Sequence, residues 1–177
     1  MIKDYVSCSS VDNMIINRYT KKIPESLMEI WMKCGLGSFW DGYIKIINPD
    51  DYIDLLKSSY FRGDVAIPIM VTAFGDIITW EKNKYVGIVE YRYGKSEIMI
   101  SDFDLFLFLL NDSSFTDKFF QFNKYQEALR RYGKLAMDES FGYVPILALG
   151  GKENVDNIKK VKTKEHIALI TDLIGLI

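Results

Sequence analysis

The chain has 177 residues, with 24 acidic against 22 basic side chains and a formal charge of −2, which leaves no basic surplus for gripping nucleic acid by bulk charge. Nearly half the residues are apolar, and 11 Phe, 11 Tyr and 3 Trp supply more buryable surface than a disordered chain carries; one domain, or two small ones sharing a core, is expected. No apolar run approaches the ~20 residues of a membrane span, Met1-Ile2-Lys3-Asp4 opens no signal-peptide stretch, and Cys8 and Cys34 are too few for a disulfide framework, so the expected compartment is a reducing cytoplasm.

The first strong element is a helix over Pro24–Cys34. Pro24 suits the first helical position, Leu27, Ile30, Trp31 and Cys34 make one apolar stripe, and Gly35 stops it. Gly37-Ser38-Phe39-Trp40-Asp41-Gly42 reads as a turn, and Tyr43–Ile47 as a short strand. Asn48, Pro49, Asp50 and Asp51 open a second helix whose buried side carries Tyr52, Leu55 and Leu56. From Ala66 to Ile100 the period becomes that of strands: Ala66–Val71, Ile77–Trp80, Tyr85–Tyr93 and Glu97–Ile100, with turns at Lys82-Asn83 and Gly94-Lys95. Short connections argue for antiparallel pairing.

Helices then return. Ser101 and Asp104 form a capping box ahead of Phe103–Leu110, which is apolar all round and therefore expected to be buried on every side, against the preceding sheet. Asn123–Tyr132 is a further helix ended by Gly133, Phe141–Leu149 a buried strand, and a last helix starts near Thr163 with Ile167, Ile170 and Ile174 inward. The fold class is α+β: an antiparallel sheet of about four to six strands with helices packed against it. Residues 1–100 and 101–177 are expected to share one core.

Charge is uneven along the chain, a net of −5 over residues 1–117 and +3 over 118–177, which solvated faces account for. The lysines Lys159, Lys160, Lys162 and Lys164 lack interleaved aromatics and read as a solvated face.

Candidate chemistry is sparse. His166 is the single histidine and, with two cysteines, cannot complete a four-ligand zinc site, so no metal is expected. Cys34 with His166 is the one conceivable nucleophile pair, but Cys34 shares a stripe with Ile30 and Trp31 as a core thiol would, and His166 reads as a surface residue. The acidic pairs Asp50-Asp51 and Asp102/Asp104 are explained by helix starts, while Asp138-Glu139 stands alone. No phosphate loop or nucleophile elbow is present. Catalytic, cofactor and metal residues are therefore expected to be none.

Two turns stand out. Phe39 and Trp40 sit with Asp41 between Gly37 and Gly42, Tyr43 follows directly, and Phe74 and Asp76 occupy a sharp strand-to-strand turn; of these, Trp40, Asp41, Tyr43, Phe74 and Asp76 are singled out. Aromatics on loops either plug the core or anchor a partner. Loops are what connections expose, so these five residues are the candidate partner contacts, with carboxylates that mimic phosphate toward a basic cleft.

Several stretches resemble known families. Ile23-Pro24, Trp31, Gly35-Leu36-Gly37-Ser38-Phe39, Asp41-Gly42-Tyr43, Asn48-Pro49, Ile67-Pro68-Ile69 and Thr72-Ala73-Phe74-Gly75-Asp76 resemble the GAD-like domain. Phe141-Gly142-Tyr143-Val144-Pro145-Ile146-Leu147-Ala148-Leu149-Gly150-Gly151 and Glu165-His166 resemble the C-terminal domain of type VI secretion immunity proteins that protect against DNase effectors. The Pro-helix-Gly opening is similar to the wider SUKH group. The resemblance implies a non-catalytic cytoplasmic immunity protein that binds and neutralises a cognate secreted toxin, a nuclease, through protein–protein contact without cofactor, membrane or direct nucleic acid. Two other readings stand beside it: a SUKH-like regulatory interaction domain without a toxin partner, and a carboxylate-dependent enzyme.

Overall fold

A computed structural model describes residues 4–177. In chain order these form β1 (Val6–Ser9), α1 (Asn13–Tyr19), α2 (Glu25–Cys34), β2 (Leu36–Phe39), β3 (Ile44–Ile46), α3 (Ile53–Ser59), β4 (Ala66–Thr72), β5 (Ile77–Glu81), β6 (Tyr85–Glu90) and β7 (Lys95–Ile100). There follow α4 (Phe103–Leu109), α5 (Ser113–Phe119), α6 (Phe122–Tyr132), β8 (Glu139–Tyr143), β9 (Ile158–Lys162) and α7 (Thr163–Ile174). The fold is α+β, as expected. Strands β1 to β7 form one antiparallel meander in sequence order, and β8 pairs with β9 separately.

The main sheet thus has seven strands, not four to six. The extra strands lie at its start and are polar or glycine-rich. β1 reads Val-Ser-Cys-Ser and is exposed throughout, so it has no apolar alternation. β2 contains Gly37, where a Cβ would collide with the Val6 carbonyl oxygen. A glycine read as a turn is here the price of two backbones approaching closely inside a ladder. The Ala66–Ile100 meander forms as expected, with Lys82 and Asn83 both at φ of +52° in the β5–β6 turn.

The central strands are buried on both faces, and their alternate residues enter two different cores. Ile46, Met70, Ile78 and Ile88 join a cluster with Leu27, Trp31, Phe106, Tyr125 and Phe141. Their neighbours Ile47, Val71, Ile77 and Val89 join another with Leu56, Tyr91, Ile167 and Ile170. The period of two along each strand directs this division. Helices α2, α4 and α6 therefore contribute to one core, α3 and α7 to the other. Each core takes side chains from both sides of residue 100.

Several local expectations are corrected. Pro24 precedes helix α2 as its cap, not as its first residue. Asn48 Oδ1 accepts from the Asp50 amide, but it starts a 3-10 turn at Pro49–Asp51 before α3 begins. Asp102, not Ser101, caps α4 by accepting from the Leu105 amide at 2.7 Å. α4 is not buried all round. Phe103 and Phe106 are interior, while Leu105 is 44 % and Phe108 71 % exposed, because only one side of the helix meets the sheet. Tyr91–Tyr93 leaves the strand as a 3-10 turn, and only Phe141–Tyr143 of the predicted Phe141–Leu149 strand is paired.

Candidate partner-binding surface

The β2–β3 turn is held in an unusual backbone conformation. Trp40, Asp41 and Gly42 have φ of +54°, +54° and +89°. Two consecutive non-glycine residues in the left-handed region cost about 1–2 kcal/mol each, so packing must impose the shape. The Trp40 ring lies 5.8 Å from Phe120 and 5.7 Å from Phe122 between centroids. The Tyr125 hydroxyl donates to the Asp41 carbonyl oxygen at 2.5 Å. The turn is thus clamped by residues of the α5–α6 region.

Beneath it, Tyr43 is fully buried, edge-on to Phe74, Phe120, Phe122 and Tyr125 at 5.1–6.2 Å. Its hydroxyl accepts from the Gln121 amide at 3.1 Å, and burial pushes the phenol well above its ordinary value. Phe74 is interior too, in contact with Phe141.

Asp76 is buried beside an equally buried Arg92, Nη2 to Oδ2 3.0 Å. The Thr72 hydroxyl donates to the same carboxylate at 2.9 Å. Burial pushes the Asp76 carboxyl upward, while Arg92 and Thr72 pull against it. The Arg92 guanidinium also lies 4.5 Å from the Phe74 ring centroid. Of the five candidate contact residues, Tyr43, Phe74 and Asp76 are buried, Trp40 is half-buried and Asp41 is exposed.

Arg92, Phe74, Phe141, Tyr143 and His166 border a small pocket of about 10 Å³. That is room for about one water. His166 is not the plain surface residue expected from the sequence. It is half-buried, and its ring occupies the space where a Cβ on Gly142 would stand. Burial lowers its pKa. Cys34 is half-buried rather than interior and borders a separate surface groove. The chain therefore places the two members of the conceivable nucleophile pair against different cavities. Among the described residues, no group of three or more His, Cys, Asp or Glu could hold a metal ion, and no helix is long and apolar enough to cross a membrane. The Lys159, Lys160 and Lys162 side chains are exposed on β9, as a solvated face would be.

The groove that Cys34 borders lies between α2 and α4 and has a volume of about 640 Å³. Its floor is Ile30, Phe39, Trp40 and Leu107, the exposed Phe108 borders it, and its rim carries Glu25, Glu29, Asp104 and Lys33. Among the described residues, three acids against one lysine leave the rim two charges negative. Lys33 Nζ donates to Glu29 at 2.7 Å, so Glu25 and Asp104 carry the excess. Periodicity missed this surface, because apolar residues on both faces of α4 read as a sign of burial. Phe108 lies on the side of α4 away from Phe103 and Phe106, which marks that side as unburied. A second hollow of about 720 Å³ borders α6, but it is polar, and its Glu153 is already bound by Lys124 at 2.5 Å.

Comparisons with known proteins add to this geometry. The fold matches the crystal structure of Atu4351 from Agrobacterium tumefaciens with a TM-score of 0.79 and 19% identity, covering 95% of this chain and 84% of that one. No curated protein matches the chain. Residues 101–174 match the family model described as T6SS immunity protein Tdi1, C-terminal. Residues 2–91 match the GAD-like domain model, and since that is half of the sequence, the chain belongs to the GAD-like family.

Proposed function

We propose that this protein is a type VI secretion immunity protein that binds a cognate toxin in the cytoplasm and neutralises it by contact, without catalysis. The observation that carries the reading is the match of residues 101–174 to the C-terminal region of the T6SS immunity protein Tdi1. The GAD-like match over residues 2–91 accompanies it. The toxin is a nuclease, and neutralisation is occlusion of its DNA-binding surface. The Trp40–Asp41 turn takes part in the contact through its exposed edge. Tyr43, Phe74 and Asp76 work underneath, fixing the turn and joining the two halves of the chain. The test is co-purification from the native host. The expected result is a stable complex with a secreted nuclease encoded beside this gene. Recovery of a regulatory protein, with no toxin gene nearby, would favour the SUKH-like regulatory reading instead.

A further inference from the structure

Resting on the immunity reading, we propose that the groove between α2 and α4 is the toxin-docking surface, and that it receives a basic segment anchored by an aromatic or aliphatic side chain over Phe108. Two features of the groove act together. Its floor is apolar, from Ile30, Phe39, Trp40 and Leu107, and a volume of about 640 Å³ takes several side chains. Phe108 is 71 % exposed although it is one of the largest apolar residues in the chain. An exposed aromatic bordering a concave apolar patch is the residue type that carries binding energy in protein interfaces.

The rim selects the occupant. Glu25 and Asp104 stand on either side with no lysine or arginine bonded to them among the described residues, and Lys33 is already paired with Glu29. A nuclease must present Lys and Arg to phosphate, so its substrate-facing surface is complementary to this rim. The acids steer the approach and set register, while the apolar floor supplies the buried contact. Trp40 belongs to both the groove and the clamped turn, so the aromatic contacts beneath it with Phe120 and Phe122 keep the floor rigid. Preorganisation of that kind lowers the ordering cost of binding.

The test measures binding of the purified nuclease domain encoded beside this gene to four forms of the full chain: the parent, Phe108→Ala, Glu25→Gln/Asp104→Asn, and Phe61→Ala. Phe61 is a comparably exposed aromatic that packs on Tyr60 and lies outside the groove, so it serves as the control. Phe108→Ala is expected to weaken affinity at least ~30-fold with an unchanged melting temperature. The carboxylate variant is expected to associate about tenfold more slowly at low salt and to lose most of its salt dependence. Phe61→Ala is expected to bind as the parent does. If the parent binds and both groove variants bind equally well, the surface is elsewhere and the immunity reading stands. If Phe108→Ala instead dissociates a dimer of this chain without changing toxin affinity, the groove is a self-interface and the proposal fails. If the parent itself does not bind, the immunity reading and the groove fall together.

Discussion

The buried pair of Asp76 and Arg92 is the most demanding electrostatic feature of the molecule, and Arg92→Met tests it. In the parent, the guanidinium is 3.0 Å from Asp76, with side-chain exposures of 5 % and 1 %. Methionine has a similar length and fills much of the same volume, so the change is mainly one of charge. It strands a carboxylate with the Thr72 hydroxyl and no cation. Breaking a buried pair by removing one partner costs about 3–5 kcal/mol. The cation over the Phe74 ring is lost as well, adding ~1 kcal/mol. For a domain of this size each kcal/mol shifts the melting temperature by about 2–4 °C, so the expected fall is roughly 8–24 °C. Removing both charges, in Asp76→Asn/Arg92→Met, should recover most of the loss, because no charge is then left uncompensated. The assay is denaturant unfolding of the parent, both single variants and the double variant at neutral pH. A loss under about 1 kcal/mol for Arg92→Met would refute the reasoning, as would a double variant no more stable than the worse single one.

Other consequences can be measured on the same protein. Burial lowers the Lys45 ammonium to about 8, against an ordinary value of 10.5, while its Nζ donates to the carbonyl oxygens of Ala136 and Glu139. The unfolded chain then holds more protons than the folded one between those pH values, so stability rises with pH across that window; Lys45→Met should remove this increment, and parallel pH profiles for parent and variant would contradict it. Gly87 lies opposite Thr79 across β5–β6, where a Cβ would stand 2.7 Å from both Thr79 Oγ1 and Glu81 Oε1. Gly87→Ala should therefore cost about 1–3 kcal/mol in urea unfolding, and a neutral result would mean that the Glu81 network shifts freely. Because each core takes residues from both halves, residues 1–100 and 101–177 are expected to unfold in one transition, and limited proteolysis near Ser101 should release no stable fragment; a folded 1–100 piece would show independent halves.

The readable parts of this fold were those where one physical signal dominated. The β4–β7 meander announced itself through strand-length apolar runs and paired turn residues, and α2 through a clean stripe ended by Gly35. β1 and β2 were hidden because their pairing is made by backbone and by small residues, not by apolar alternation. α1 and α5 are short helices whose start signal, an aspartate cap at Asp12 and Asp112, has no strong stripe behind it. The candidate site was legible only in part. Sequence picks out Trp40, Tyr43 and Phe74 as aromatics in turns, but whether a turn aromatic points inward depends on what covers it. The cover is Phe120, Phe122, Tyr125 and Phe141, all from the other half of the chain. Arg92 could not be paired with Asp76 from spacing, since a strand reversal lies between them. The groove needs two helices distant in sequence to be set side by side, which no local pattern encodes.

The central claim, neutralisation of a nuclease toxin by direct contact, is tested most directly by titration. The purified toxin domain is held at a fixed concentration, far above the dissociation constant, and its cleavage of plasmid DNA is followed as this protein is added. The account predicts a linear fall in activity that reaches zero at a fixed stoichiometric ratio, with no change in the toxin's covalent mass. Undiminished cleavage at excess protein would contradict it, and so would inhibition that grows with time at substoichiometric amounts, since that is the behaviour of a catalyst.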